Sequence, residues 1–178
     1  MSQLTFPLAP TVLRFRDLFN SKINSTGPAS AVTAFHPDPE IVALGVRQPW
    51  IELILRGVKT IEVRSQDTRV RGTIYLYASK KFSDLGAAIE AAQAHGLDCP
   101  SLPTGLLVGS VEIVATRPAH AGDAGPSCVP ATFLKQQFAW ELRNPQRFRQ
   151  PLPVRFLPYG VWFYPFRRRN DVPHWRSK

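Results

Sequence analysis

Residues 57–64 read GVKTIEVR, with Lys59, Glu62 and Arg64 threaded among the β-branched Val58, Thr60, Ile61 and Val63. β-branched runs favour strands, and side chains along a strand alternate between its two faces. Thr60, Glu62 and Arg64 therefore share one face, while Ile61 and Val63 share the other and suit a core. Alternate Cα atoms in a strand lie roughly 7 Å apart, so Glu62 and Arg64 can pair. Lys59 falls at the entry to the strand, where parity does not fix its direction. The charged face looks into solvent or into a groove. In solvent, an ion-pair network of this kind contributes only about 0–1 kcal/mol and merely solubilises an edge. In a groove, the same residues line a site.

Upstream, IVALGV (41–46) reads as a buried strand, and RQPWIELILRG (47–57) as a short helix. Pro49 suits the first helical turn and Gly57 the C-terminal cap. Trp50, Leu53 and Ile54 form the apolar stripe, which leaves Glu52 and Arg56 facing out as an i, i+4 pair. Downstream, a polar loop (65–72) leads to the strand TIYLYAS (73–79). Residues 83–95 read as a helix capped by Ser83 and ended by Gly96. LLVGSVEIVAT (106–116) is a long strand with a bulge expected at Gly109. Residues 117–132 read as a flexible loop, FAWEL (138–142) as a strand, 144–154 as a connector, and GVWFY (160–164) as the last strand closed by Pro165. The fold class is mixed α+β and mainly β: a small, partly open barrel of about six strands with two or more helices.

The whole chain has 178 residues, 44% of them hydrophobic, which is sufficient for one core. Seventeen prolines argue against a long-helix bundle. Cys99 and Cys128 match no zinc spacing and make no disulfide framework, so free thiols in a reducing compartment are expected. No apolar run approaches the ~18 residues of a membrane span. The first residues lack the layout of a secretory signal and only faintly resemble an organellar transit peptide. A cytoplasmic monomer is expected, with no metal and no cofactor.

The organisation expected is a flexible extension (1–39), a folded domain (40–165) and a basic tail (166–178). Within the extension, TVLRFRDLFN (11–20) has helical spacing. The net charge of +9 divides as +1, +4 and +4 over the three segments 1–39, 40–165 and 166–178. A polyanionic partner with salt-sensitive binding fits that balance, as does a merely solvated tail.

LGVRQPW (44–50), GVKTIEVRS (57–65) and RGTIYLYAS (71–79) together resemble the activating-signal-cointegrator homology, or ASCH, family. Its pattern G-x-K-x-x-E-x-R is met by Gly57, Lys59, Glu62 and Arg64. LLVGSVEIV, FAWEL and YGVWFYP resemble its later strands, so the likeness covers roughly residues 41–165. The resemblance implies a PUA-like pseudo-barrel whose motif helix and strand border a cleft for RNA, single-stranded nucleic acid or a nucleoside. The lining expected on that basis is Gln48, Trp50, Lys59, Glu62, Arg64, Ser65, Arg69 and Arg71. Some members of the family bind nucleic acid or act as coactivator-like modules. Others are hydrolases that deacetylate a modified cytidine, or ribonucleases.

For binding, Arg64 can grip a phosphate or carbonyl, with Glu62 orienting it or accepting from an exocyclic amine. Arg69 and Arg71 add attraction to a backbone. Trp50, Trp140, Tyr159 and Trp162 can stack a base, although core packing suits Trp140 and Trp162 better. For hydrolysis, Lys59 would serve as base and Glu62 or Glu112 would move protons. The cytidine-deacetylating relatives carry Thr where this chain has Glu62, so their mechanism does not carry over. His36, His95, His120 and His174 have no evident Ser or Asp companion. The binding module is the preferred reading, with a small hydrolase and a protein-interaction adaptor as alternatives.

Overall fold

The computed structural model describes residues 37–168. β1 (Ala43–Val46) runs through a cis Gln48–Pro49 peptide into α1 (Trp50–Leu55), followed by β2 (Ile61–Arg64) and β3 (Gly72–Ala78). α2 (Gly86–Ala94), β4 (Leu106–Pro118), α3 (Ala124–Ser127), β5 (Phe138–Leu152) and β6 (Trp162–Phe163) complete the order. The six strands form one sheet in the order β2-β5-β4-β3-β1-β6. Only β1 and β3 pair in parallel; β1–β6, β2–β5, β3–β4 and β4–β5 are antiparallel. The sheet curls into a half-barrel, in keeping with the mainly β class expected. No helix among the described residues is long and apolar enough to cross a membrane.

Curling follows from where the strands break register. The β3–β4 ladder shifts between Leu76 and Tyr77, and β4 against β5 shifts between Leu107 and Gly109 and at two further places. Each irregularity adds local twist and bends the strand. Gly109 is the bulge position expected from the sequence, and a second constraint acts there. A Cβ on Gly109 would overlap the Gln146 carbonyl oxygen and stand 2.6 Å from Leu55 Cδ2. The missing side chain lets β5 on one side and α1 on the other approach the β4 backbone.

β1 and β3 are buried on both faces, and their alternation divides two cores. Leu44, Val46, Ile74, Leu76 and Ala78 join α1, Val108, Trp140 and Leu142 in the larger one. Ala43, Tyr75, Tyr77, Leu107 and Phe163 form the smaller one, with Phe148, Leu152 and Phe166 packed against it. Phe166, at the start of the expected basic tail, meets Tyr75 edge-to-face at 6.4 Å. Most of the expected extension, including TVLRFRDLFN, and most of the tail lie outside the described residues.

Several local expectations change. Glu52 does not face out. It is 5% exposed and receives Arg56 Nε and Arg147 Nη2, each at 2.8 Å. Burial pushes its pKa up, but the bonds from Arg147 and Arg56 outweigh this and hold it below the usual value. Ser83 does not cap α2, which begins at Gly86 behind an extended Leu85. Residues 144–152 continue β5 instead of forming a connector, turning through Asn144 at φ 51°.

Residues 117–132 are not a loose loop. They contain the 3-10 turns Ala121–Asp123 and Ala131–Leu134 on either side of α3. Arg117 fastens the segment by a fork onto Asp123 (2.8 and 2.7 Å) and a third bond to Glu141 at 3.0 Å. The Arg117 guanidinium holds Asp123 down to about 2, while the Arg117 pKa is itself raised.

Candidate functional site

GVKTIEVR enters the fold through a left-handed Gly57 (φ 71°), which ends α1 and turns the chain towards β2. The turn is held by Val58 N and Lys59 N, which both donate to Leu53 O. Thr60 N donates to Pro126 O at 2.9 Å, so the 119–129 segment lies against the start of β2. That packing removes Lys59 from solvent. Its side chain is only 3% exposed, and Nζ donates at 2.8 Å to both Ile61 O and Ser127 O. Glu62 Oε2 is the third acceptor at 3.4 Å, and the Trp50 ring centroid lies 5.4 Å from Nζ. Three acceptors match the three N–H donors of an ammonium group. Burial pushes the Lys59 pKa below its usual value, and Glu62 pulls it back up in part.

Glu62 is also buried, at 6% exposure, so the strand does not present a solvated charged face. Its Oε1 stands 2.9 Å from Arg64 Nε. The geometry is that of an ion pair without an aligned hydrogen bond. Arg64 reaches further: Nη2 donates at 3.0 Å to Gly45 O, and the guanidinium lies 5.8 Å from the Trp140 ring centroid. Trp140 in turn stacks on Trp162 at 5.6 Å and 13°, and its Nε1 donates to Gln66 O at 3.1 Å. β2 and β6 are the two sheet edges. The seam between them is thus crossed by side chains, through Arg64 to β1 and Trp140 to β6.

A cleft of about 420 Å³ opens at this seam, lined by Trp50, Glu62, Arg64, Arg47, Ser79 and Ser83, among others. The volume lies within the ordinary range of small-molecule sites. Of the residues expected to line it, Trp50, Glu62 and Arg64 converge there. Lys59 stands behind them, its amine turned to backbone carbonyls. Gln48 is buried, with Nε2 donating to Pro103 O and Oε1 accepting from Glu52 N, so it braces the start of α1. Ser65 and Arg69 are exposed and do not line the cleft. Arg71 folds onto its own loop, donating to Thr68 O, Val70 O and Thr116 Oγ1. Tyr159 is exposed, while Trp140 packs in the core.

Arg47 and Ser79 were given no role by sequence reasoning, and Ser83 was read only as a helix cap. The signal was present: Arg47 precedes the Q-P-W and Ser79 ends the A-S of the family pattern. β1 and β3 are parallel neighbours whose C-terminal ends meet, and Ser79 N donates to Val46 O at 2.8 Å. That pairing brings Arg47 and Ser79 to one mouth.

The family model described as ASCH domain matches residues 44–152. Two curated relatives align over 137 residues, 67% of this chain: activating signal cointegrator 1 of Homo sapiens at 26% identity and of Mus musculus at 32%. The chain spans about a fifth of the length of these relatives, 21% in each case. Among solved structures, ASCH from Zymomonas mobilis matches with a TM-score of 0.49 and 14% identity. That match covers 71% of this chain and 88% of the other. A serine-to-alanine mutant of the same Zymomonas mobilis protein matches with a TM-score of 0.48 and 15% identity, over 72% and 90% of the two chains.

Proposed function

The chain belongs to the ASCH domain family, a PUA-like fold family associated with RNA binding, and from that premise we propose that it is a binding module for single-stranded RNA. In this reading one base enters the cleft at the barrel seam. The observation that carries the reading is the pairing of Glu62 and Arg64 at 2.9 Å on the wall of an open cleft beside Trp50. A carboxylate and a guanidinium side by side offer an acceptor next to donors. That pattern suits a base edge with an exocyclic amine next to a ring nitrogen or carbonyl, as in cytosine. Trp50 supplies an apolar wall for the ring. Lys59 holds the pair in register from behind, which favours binding over a role as catalytic base.

The test is titration of the full chain with a mixed-sequence single-stranded RNA octamer, followed by fluorescence anisotropy at several salt concentrations. Wild-type protein binds with an affinity that falls as salt rises. Glu62→Gln and Arg64→Lys, which conserve size or charge, weaken binding at least tenfold while retaining the wild-type circular dichroism spectrum. Equal affinity in both variants would remove the cleft as the binding site. The name of the relatives also points to cointegrator-type protein contacts. Capture of a protein partner that survives nuclease treatment and is indifferent to Arg64→Lys would favour that second reading.

A further inference from the structure

The base cleft does not end at Arg47. A second cavity of about 410 Å³ shares Arg47 and Ser79 with it and continues between Lys80, Lys81 and the Leu157–Pro158 turn. The two cavities adjoin at these shared residues, by the C-terminal ends of β1 and β3, and a ligand that spans both would lie in one groove. Their chemistry differs. The inner part contains the buried Glu62 and its pair with Arg64. The outer part is lined by three cations, Arg47, Lys80 and Lys81, and, among the described residues, by no carboxylate.

Among the described residues, Lys80 and Lys81 make no ion pair, and both are exposed. The Lys80 stem runs beside Gly105, where an added Cβ would stand 3.5 Å from its Cγ. Arg47 pairs with Asp84 at 3.1 Å, and both side chains are largely exposed, at 49% and 86%. Such a pair is weak and easily exchanged. Asp84 also lines the inner cavity, so its carboxylate occupies the boundary between the two parts.

Resting on the base-binding reading above, we propose that the outer cavity is a phosphate subsite. The ligand is then a phosphorylated nucleoside or a polynucleotide, and a bare nucleoside fills only half the groove. A phosphate next to the bound base displaces Asp84 from Arg47, takes the guanidinium fork, and is flanked by the Lys80 and Lys81 amines. Leu157 and Pro158 give the sugar an apolar wall. Asp84 is a built-in competitor, a carboxylate that holds Arg47 in place until a phosphate arrives.

The experiment compares the four ribonucleosides, their 5′- and 3′-monophosphates and the RNA octamer on the full chain by calorimetry at low salt. For the base that fits the cleft, one of the two monophosphates binds at least tenfold tighter than the nucleoside, and the better isomer gives the strand direction. The gain is lost in Arg47→Ala and in Lys80→Ala/Lys81→Ala, and in the double lysine variant, whose residues line only the outer cavity, nucleoside affinity stays within twofold. Asp84→Asn tightens the monophosphate more than the nucleoside. For the octamer, the double lysine variant reduces the slope of log K against log salt by ~0.7, the share of the one phosphate the subsite holds. If a nucleoside binds as tightly as both of its monophosphates, or the gain persists in these variants, the subsite is wrong and the base cleft stands. If neither nucleosides nor octamer bind, both readings fail together.

Discussion

Arg64 Nη2 donates to the carbonyl oxygen of Gly45 across the open seam of the sheet, at 3.0 Å. β2, an edge strand, and β1, beside the other edge, have no backbone ladder between them. This side-chain bond, made to one carbonyl and supported by Glu62, joins the two walls of the cleft. It explains why an arginine stands there: a planar fork can hold Gly45 through one nitrogen, face Glu62 through another, and still offer Nη1 to a ligand.

Arg64→Lys is therefore expected to destabilise the fold as well as weaken binding. One charge-assisted hydrogen bond and the guanidinium packing on Trp140 disappear, which costs about 1.5–3 kcal/mol. Urea unfolding followed by tryptophan fluorescence should show it as a lower midpoint with an unchanged slope. A midpoint equal to wild type would mean that the bridge to Gly45 carries no stability.

Lys59→Met removes one member of a buried pair while keeping the length of the side chain. The Ile61 and Ser127 carbonyls lose their donor, and Glu62 keeps only Arg64. A stability loss on the order of 3 kcal/mol is expected in chemical denaturation. In the intact protein, the Lys59 amine should resist acylation by a water-soluble reagent under conditions that label Lys80 and Lys81, read by mass spectrometry. A variant with wild-type stability and abolished RNA binding would instead show that Lys59 touches the ligand.

Gly109→Ala tests the close approach of α1 and β5 to the β4 bulge. The added methyl meets the Gln146 carbonyl, which is backbone and cannot swing away, and Leu55. Overpacking of this kind costs about 1–3 kcal/mol. Thermal unfolding is the measurement, and Gly125→Ala, where a Cβ meets nothing within 4 Å, is the control.

Asp123 sets an acid limit on the segment that supplies Ser127 O to Lys59. Its folded-state pKa, held down to about 2 by Arg117, lies below the ordinary 3.8. A depressed carboxylate value stabilises the fold fully above the ordinary pKa, and the contribution is lost as pH falls through about 2. Arg117 is a third exposed, at 33%, so solvent screening reduces the effect to on the order of 1 kcal/mol. Unfolding midpoints between pH 5 and pH 2 should fall less steeply in Asp123→Asn than in wild type. Parallel curves would rule out this residue as a source of the acid sensitivity.

Local pattern carried the elements and the family. The apolar run of TIYLYAS, the β-branched IVALGV, the Pro49 and Gly57 punctuation of α1 and the bulge glycine at 109 are written into neighbouring residues, because backbone propensity and side-chain period act over a few positions. GVKTIEVR with its flanks marked the cleft wall in the same way, and Trp50, Glu62 and Arg64 do meet there. The direction of each charge was decided elsewhere. Lys59 turned inward because Ser127, 68 residues later, presents a carbonyl to it. Glu52 was buried because Arg147, 95 residues away, lies over it. Arg47 and Ser79 met only when β1 and β3 paired in parallel. A charge is placed by whatever satisfies its hydrogen bonds once water is gone, and those partners are distant in the chain. Neighbouring residues sufficed for most strands, the turn at Gly57 and the family; long-range packing built the far half of β5 and the turns of 117–132, and chose which charges support the cleft and which line it.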